Sequence, residues 1–332
     1  MNNLVNRVPR VSIGLPAFKA KFFREALSCW KAQTFTDFEV LVYDDASPED
    51  LRTPFEEVCG EDARFSFVRA EVNSSPRFVK NWNRALAAAR GEFFVLASDD
   101  DLYAPEFLEK MVNLAEQYPA FNLFHCRLAY FEKDPESLVF FSAKNPVVES
   151  QVEYLYALLC QRRSAVAPNY FMRREALCAM GGFVDLPAAC ASDWLTWGHL
   201  ARNGVVWEPE VLVKWRMSGI NISTVNERSW AWQKYLAGVE ALPLWKALIE
   251  SLVPISAPEH WQKAELKRWM QSAYTWQQIT FYVHSLSWGF FLKYYWQEYR
   301  RGHTTLLHCL KVAFDRLRKE SREFLSVRTR ND

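Results

Sequence analysis

Phe93-Phe94-Val95-Leu96-Ala97-Ser98-Asp99-Asp100-Asp101 decides how this chain is read. Its first five residues are a short, apolar, aromatic-rich run behind an Ala-rich stretch and Gly91, which predicts a strand buried on both faces. Three adjacent carboxylates at the end of such a strand repel one another unless a cation or cationic ligand neutralises them. The C-terminal edge of a central strand in an α/β sheet is also where such folds bind ligands. Hard oxygen donors of this kind suit Mg²⁺ or Mn²⁺, held by one or two carboxylates with substrate phosphates completing the shell. The plainer alternative is an acidic turn whose Asp side chains cap the helix starting near Ala104-Pro105.

Outward from this stretch, strand–helix alternation over 11–132 predicts an α/β fold with a mostly parallel sheet flanked by helices. Strands are expected at 11–15, ended by Pro16; at 39–43, stopped by Asp44-Asp45-Ala46-Ser47-Pro48; and at 65–69, 93–97 and 121–130. Two shorter ones follow at 205–207 and 211–215. Helices are expected at 23–31, 76–89, 105–118, 149–160 and 192–203, the last closed by Gly204. Beyond about Asn226 the alternation stops and the chain reads as helical. The expected division is therefore 8–225, an α/β domain, and 226–332, a helical region rich in aromatic and basic residues.

With 332 residues, 50% of them hydrophobic, the chain can bury a large core. A net charge of +1 gives no support to a nucleic-acid partner. The charge is uneven, with 16 Lys/Arg against 10 Asp/Glu in 227–332. That stretch also holds eight of the 14 Trp residues, at 230, 232, 245, 261, 269, 276, 288 and 296. The seven Cys are scattered and form no CxxC pair, which argues for reduced thiols in the cytoplasm and against zinc or disulfides. The first ten residues lack an apolar core, so no signal peptide is expected. Residues 269–292 are long enough to span a bilayer, but their many Gln, Ser and Thr argue against it.

Asp44-Asp45 and Asp99–Asp101 end strands of one parallel sheet and so open onto one edge. Two acidic loops facing one crevice suggest a cation–phosphate ligand. Neither GxGxxG nor GxxxxGK[ST] occurs, so no glycine-rich loop is available to cradle a phosphate.

Several segments, in order, resemble glycosyltransferase family 2 of the GT-A fold. They are Val11-Ser-Ile-Gly-Leu-Pro-Ala-Phe18, the stretch from Gln33 to Ser47, that from Ala88 to Pro105, Gly181-Gly-Phe-Val-Asp185 and Ser192-Asp-Trp194. The resemblance covers about 8–225 and implies an inverting glycosyltransferase that uses a nucleotide sugar, as in bacterial O-antigen or capsule biosynthesis. Pro16 is a candidate nucleotide-binding residue, Phe18 matches the aromatic position beside the nucleotide base, and Asp45 the acceptor of the N3–H of uracil or thymine, hence a UDP- or dTDP-sugar. Asp100 matches the metal ligand of the DXD-type motif, Asp101 the acidic residue that follows it, and Asp99 the middle position on the nucleotide side. Ser98 stands where that motif has its first Asp. Apart from the resemblance, Arg77 and Lys80 precede a helix and are candidates to reach the diphosphate, with a solvated helix start as the alternative.

The resemblance makes Asp193 the catalytic base, taking the proton of the acceptor hydroxyl opposite the leaving nucleotide, with a carboxylate that only caps the helix as the alternative. Trp194 and Trp197 form a candidate platform for the acceptor sugar, with ordinary core packing as the alternative. Lys214-Trp-Arg-Met-Ser-Gly-Ile-Asn221 resembles the family's Arg-x-His-x-x-Asn segment, with Ser218 in place of His. For the tail the expectations are two: an interfacial surface that brings the enzyme to a lipid-linked or glycan acceptor at the cytoplasmic leaflet of the inner membrane, or helices that pack on the core or form a homo-oligomer. A catalytically silent nucleotide-sugar-binding or scaffolding protein is the alternative function. A nucleotidyltransferase is disfavoured, because no Gly-rich, Arg-containing loop follows 11–15.

Overall fold

A computed structural model describes residues 8–160, 162–163, 165–222, 228–252, 257–274, 287–302 and 304–328. Four strands, β1 (Val11–Ala17), β2 (Phe38–Asp44), β3 (Phe65–Arg69) and β4 (Phe93–Leu96), pair in parallel in the order β3-β2-β1-β4. Between and after them run α1 (Phe23–Lys31), α2 (Arg52–Cys59), α3 (Val79–Ala88), the two-residue strand β5 (Leu102–Tyr103) and α4 (Phe107–Gln117). The chain continues as β6 (Leu123–Phe131), β7 (Leu138–Phe141), β8 (Val148–Glu149), α5 (Gln151–Leu159), β9 (Tyr170–Arg173), α6 (Arg174–Ala179), α7 (Ser192–Leu200) and β10 (Val205–Arg216). β9 inserts antiparallel between β4 and β6, and β6 pairs in parallel with β10, extending the sheet to ten strands.

β4 explains the layering. Phe93 and Val95 face one side, packing with Leu27 and Trp30 of α1 and Met111 of α4; Phe94 and Leu96 face the other, with α3 and α5. Both faces are buried, as a continuous apolar run requires in a parallel sheet. Each such side chain contributes about 1.5–3 kcal/mol by leaving water. At Gly14 on β1, a Cβ would lie 2.5 Å from the Phe94 ring and 3.0 Å from Ala85 of α3, so this close approach needs glycine.

Among the described residues four further helices follow: α8 (Arg228–Glu250), α9 (Ala257–Tyr274), α10 (Trp288–Arg300) and α11 (Leu306–Arg328). Ala237, Ala241, Leu242, Trp245 and Leu248 of α8, with Leu266 and Met270 of α9, join the second core beside Trp197 and Leu155. Gly198 lets α8 approach α7; a Cβ there would meet Leu248 at 2.8 Å. α8 and α9 therefore follow the packing expectation for the tail. α10 and α11 meet Tyr235 of α8 in a separate cluster of Phe291, Tyr295 and Val312.

Several expectations need correction. The strand at 11–15 does not stop at Pro16 but runs to Ala17; the β4 ladder ends at Gly14, so the proline interrupts no pairing on that side. Residues 205–207 and 211–215 are one strand, because β10 passes Pro209 through a bulge in its register with β6. The helix expected from 76 begins at Val79, after a turn closed by Arg77 N–H on Ser74 O. β7 and β9 were not anticipated. The side chains of Trp261 and Trp276, and residues 1–7, 226 and 275–286, lie outside the described residues.

Candidate functional site

At the C-terminal ends of β1, β2 and β4, three loops are bound to one another. The Phe18 and Lys19 N–H groups both donate to Asp99 Oδ2 at 2.8 Å. Ser47 Oγ donates to Phe18 O at 2.6 Å, and Asp45 N–H to Ala17 O at 3.0 Å. Phe18 thus joins the two acidic strand ends, and its ring is 42% exposed. Asp45 is buried and accepts from Ser74 N–H and Ser74 Oγ, with Arg84 at 3.7 Å; burial raises its pKa against these bonds. Pro16 is half-buried in β1 opposite Tyr43.

The three consecutive carboxylates are all buried and have separate partners. Asp101 accepts from Ser98 Oγ and from Arg216 N–H at 2.9 Å. Burial, aided by the neighbouring Asp100 charge, pushes its pKa up to about 7. Asp100 Oδ2 accepts from Lys19 Nζ at 2.8 Å and Asn221 Nδ2 at 3.3 Å, with Ser218 Oγ 3.4 Å away. Asp99 Oδ1 lies 3.3 Å from the same Lys19 Nζ. Burial alone would lower the Lys19 pKa, but the Asp99 and Asp100 charges outweigh it and the net shift is upward. Arg216 packs over Phe22 and Phe131 and donates from Nε to Asp100 O at 2.9 Å, fixing the turn from β4 to β10.

Asp193 lies on α7 behind a loop with left-handed Ala188, Ala189 and Ala191, at φ 54°, 52° and 65°. Non-glycine residues in that region mark local strain. Asp193 is half-buried and accepts from Trp194 N–H at 2.8 Å; burial pushes its pKa up to about 7. Tyr154 and Tyr170, hydrogen-bonded to each other at 2.8 Å, are buried phenols whose raised pKa values owe part of their shift to the Asp193 charge.

The expected site residues are not all gathered in one place. Phe18, Asp99, Asp100 and Asp101 are in one bonded cluster, with Ser218 and Asn221 of the Arg-x-His-x-x-Asn-like segment meeting Asp100. Arg77 is turned elsewhere: its guanidinium makes two 2.9 Å bonds to Glu240 of α8 and one to Asp185 O. In this arrangement Arg77 braces the tail rather than reaching toward a diphosphate. Trp197 is a correction. It is 0% exposed, stacked on Tyr170 at 4.8 Å and edge-on to Phe183, so it is core and offers no face to a sugar. Trp194 is half-buried, with Nε1 donating to Ala165 O.

Sequence reasoning missed Lys19, and it quoted Arg216 only as the Arg of the Arg-x-His-x-x-Asn-like segment, with no role of its own. The available signal for Lys19 was a single cation one residue past Phe18, at the edge that receives three carboxylates.

Mg²⁺ or Mn²⁺ at Asp100 and Asp101 can be tested on the donor set. Among the described residues no group of three His, Cys, Asp or Glu is arranged to hold a metal ion. The Lys19 ammonium stands between Asp100 Oδ2, at 2.8 Å, and Asp99 Oδ1, at 3.3 Å, where an ion shared by these carboxylates would have to sit. The residues present do not fit a carboxylate-held divalent ion.

Residues 12–163 match the model of Glycosyl transferase family 2. Curated relatives at 23–29% identity are described as glycosyltransferases. One, the GalNAc(5)-diNAcBac-PP-undecaprenol β-1,3-glucosyltransferase of Campylobacter jejuni, is 26% identical over 44% of this chain; the match spans 46% of that relative's length. Among solved structures, Staphylococcus aureus TarS 1–349 in complex with UDP-GlcNAc superposes with a TM-score of 0.56 at 17% identity, covering 88% of this chain and 92% of that one. Mannosyltransferase PcManGT from Pyrobaculum calidifontis, in complex with GDP-Man and Mn²⁺, gives 0.54 at 17% identity over 94% and 88%.

Proposed function

We propose that this chain, whose residues 12–163 match the model of Glycosyl transferase family 2, belongs to that family and transfers a sugar, with inversion, from a UDP- or dTDP-sugar to a hydroxyl of a glycan or lipid-linked acceptor in bacterial surface polysaccharide synthesis. The observation that carries this reading is the bonded edge of β1, β2 and β4, where exposed Phe18 lies between Asp45 and the three-carboxylate turn. A base stacked on Phe18 would offer its N3–H to Asp45, and the diphosphate would then point along the sheet edge toward Lys19 and Asp100. Asp193, with a pKa near neutrality, suits a base that takes a hydroxyl proton. The undecaprenol-linked acceptor in the name of the Campylobacter relative and the UDP-GlcNAc of the TarS complex support this choice of acceptor and donor. The Mn²⁺ of the PcManGT complex speaks for a divalent ion; Lys19 and the engaged Asp101 carboxylate speak against one.

The tail supports a peripheral membrane contact on the cytoplasmic side. Among the described residues no helix is long and apolar enough to cross a membrane. Yet α10 and α11 expose Phe290, Leu292, Trp296, Leu307, Leu310 and Phe314, flanked by Lys293, Arg300, Arg301, Lys311 and Arg318. Apolar anchors beside basic charge suit an anionic lipid surface; a homo-oligomer is the competing use of the same face. A second functional reading, nucleotide-sugar binding without transfer, draws on Ser98 and Ser218, which replace the family's Asp and His.

A thermal-shift panel of UDP-, dTDP- and GDP-sugars tests the proposal. UDP- or dTDP-sugars should raise Tm progressively with concentration. A response to GDP-sugars alone overturns the base assignment, and binding with neither transfer nor slow donor hydrolysis across many acceptors favours the silent protein.

A further inference from the structure

We propose that Lys19 is the resident cation of the donor site, standing in place of a divalent ion and presenting its ammonium to the donor diphosphate; this rests on the nucleotide-sugar reading above. The argument starts from the oxygens of the three-carboxylate turn. Asp101 has one oxygen on Ser98 and the other on the Arg216 N–H. Asp99 Oδ2 takes two backbone N–H groups, from Phe18 and Lys19. Asp99 Oδ1 and Asp100 Oδ2, the oxygens a bridging ion would need, both face Lys19 Nζ, at 3.3 and 2.8 Å.

The other neighbours of Asp100 agree. Asn221 Oδ1 accepts from Ser218 N–H and Oγ, which turns its NH₂ toward Asp100 and toward Arg216 O. Ser218, where the resemblance places a His, spends its one hydroxyl proton on Asn221 Oδ1 at 2.8 Å and so holds that amide in place, its Oγ 3.4 Å from the same carboxylate. Lys19 and Asn221 thus both present N–H donors to Asp100, a surrounding that receives an ammonium and repels a second cation. Lys19 is itself fixed by its own backbone N–H on Asp99, and its side chain remains 24% exposed. An ammonium has three N–H donors, and two are directed at carboxylates, leaving the third for a phosphate oxygen. Its place directly after Phe18 puts that donor one residue beyond the candidate base platform.

The test pairs two independent measurements on the full chain and on Lys19→Ala and Lys19→Arg. Mn²⁺ uptake, followed by loss of the free-ion EPR signal without nucleotide, should be negligible in wild type and in Lys19→Arg, and should appear in Lys19→Ala, where Asp99 and Asp100 are released. UDP binding by calorimetry should be equal in EDTA and in Mn²⁺ for wild type. In EDTA it should weaken at least tenfold in Lys19→Ala, with Lys19→Arg retaining most of it. Mn²⁺ uptake by wild type equal to that of Lys19→Ala, or UDP binding that requires Mn²⁺, overturns the proposal. Failure of every nucleoside diphosphate to bind, with Mn²⁺ uptake still confined to Lys19→Ala, instead overturns the nucleotide-sugar reading and leaves Lys19 as a cation that excludes metal.

Discussion

Asp193 shows how one side chain couples chemistry to stability. Its folded-state pKa, pushed up by burial to about 7 from an ordinary 3.8, means the native state holds a proton that the unfolded state has released across that interval. Stability contributed by this group is therefore present below about pH 4 and declines as pH rises toward 7. Asp193→Asn should raise Tm at pH 8, with the gain vanishing near pH 4. A base must be deprotonated to act, so wild-type turnover should rise with pH along a limb centred near 7. The Asn variant should lose roughly 10²–10⁴-fold in kcat with donor affinity unchanged. Equal loss of donor binding in calorimetry would make Asp193 a structural residue. The charged and titratable neighbours bearing on this profile are Tyr154, Tyr170 and, beside them, Arg163, whose guanidinium covers the Tyr154 ring at 4.7 Å.

At the scale of elements, the two tryptophans of α7 separate cleanly. Trp197→Ala removes a wholly buried ring from between Tyr170 and Phe183 and should cost about 3–5 kcal/mol in urea unfolding. Trp194→Phe loses one hydrogen bond, to Ala165 O, about 1 kcal/mol; if its ring carries the acceptor sugar, acceptor KM rises while donor binding stays. The parallel strands were legible because strands buried on both faces read as unbroken apolar runs, and their acidic ends were legible as clustered charge. β9 was not, since four residues between a 3₁₀ turn and a helix leave no period to detect. Lys19 was illegible for another reason: its partners Asp99 and Asp100 lie 80 and 81 residues away, and only the parallel pairing of β1 with β4 brings them together. Ser218 and Asn221 were found because a family-like segment preserved their spacing.

For the whole molecule, the exposed face of α10 and α11 is the feature with most to answer for. Leu307 is 79% exposed, Leu310 59% and Phe314 65%, at the i, i+3, i+7 spacing that lines one stripe of α11. Intact protein should co-sediment with vesicles containing anionic lipid, less at high salt because part of the attraction is Lys/Arg with headgroups. Replacing Leu307, Leu310 and Phe314 together by Ser should abolish sedimentation without lowering Tm, since none is buried. Dimerisation that the triple substitution abolishes, with no binding to vesicles at any salt, would assign the face to a second copy.

The second core also sets a timetable. It draws on Leu41 near one end and Tyr274 near the other, and a chain leaves the ribosome N-terminus first. The face of α5 and α7 that receives α8 and α9 must wait to be fully covered for roughly 4–15 s, while the 74 residues that follow Leu200 up to Tyr274 are made at about 5–20 residues per second. The nascent protein is stickiest when its reactive half is already synthesised, and α8 and α9 act as the stitch that closes it.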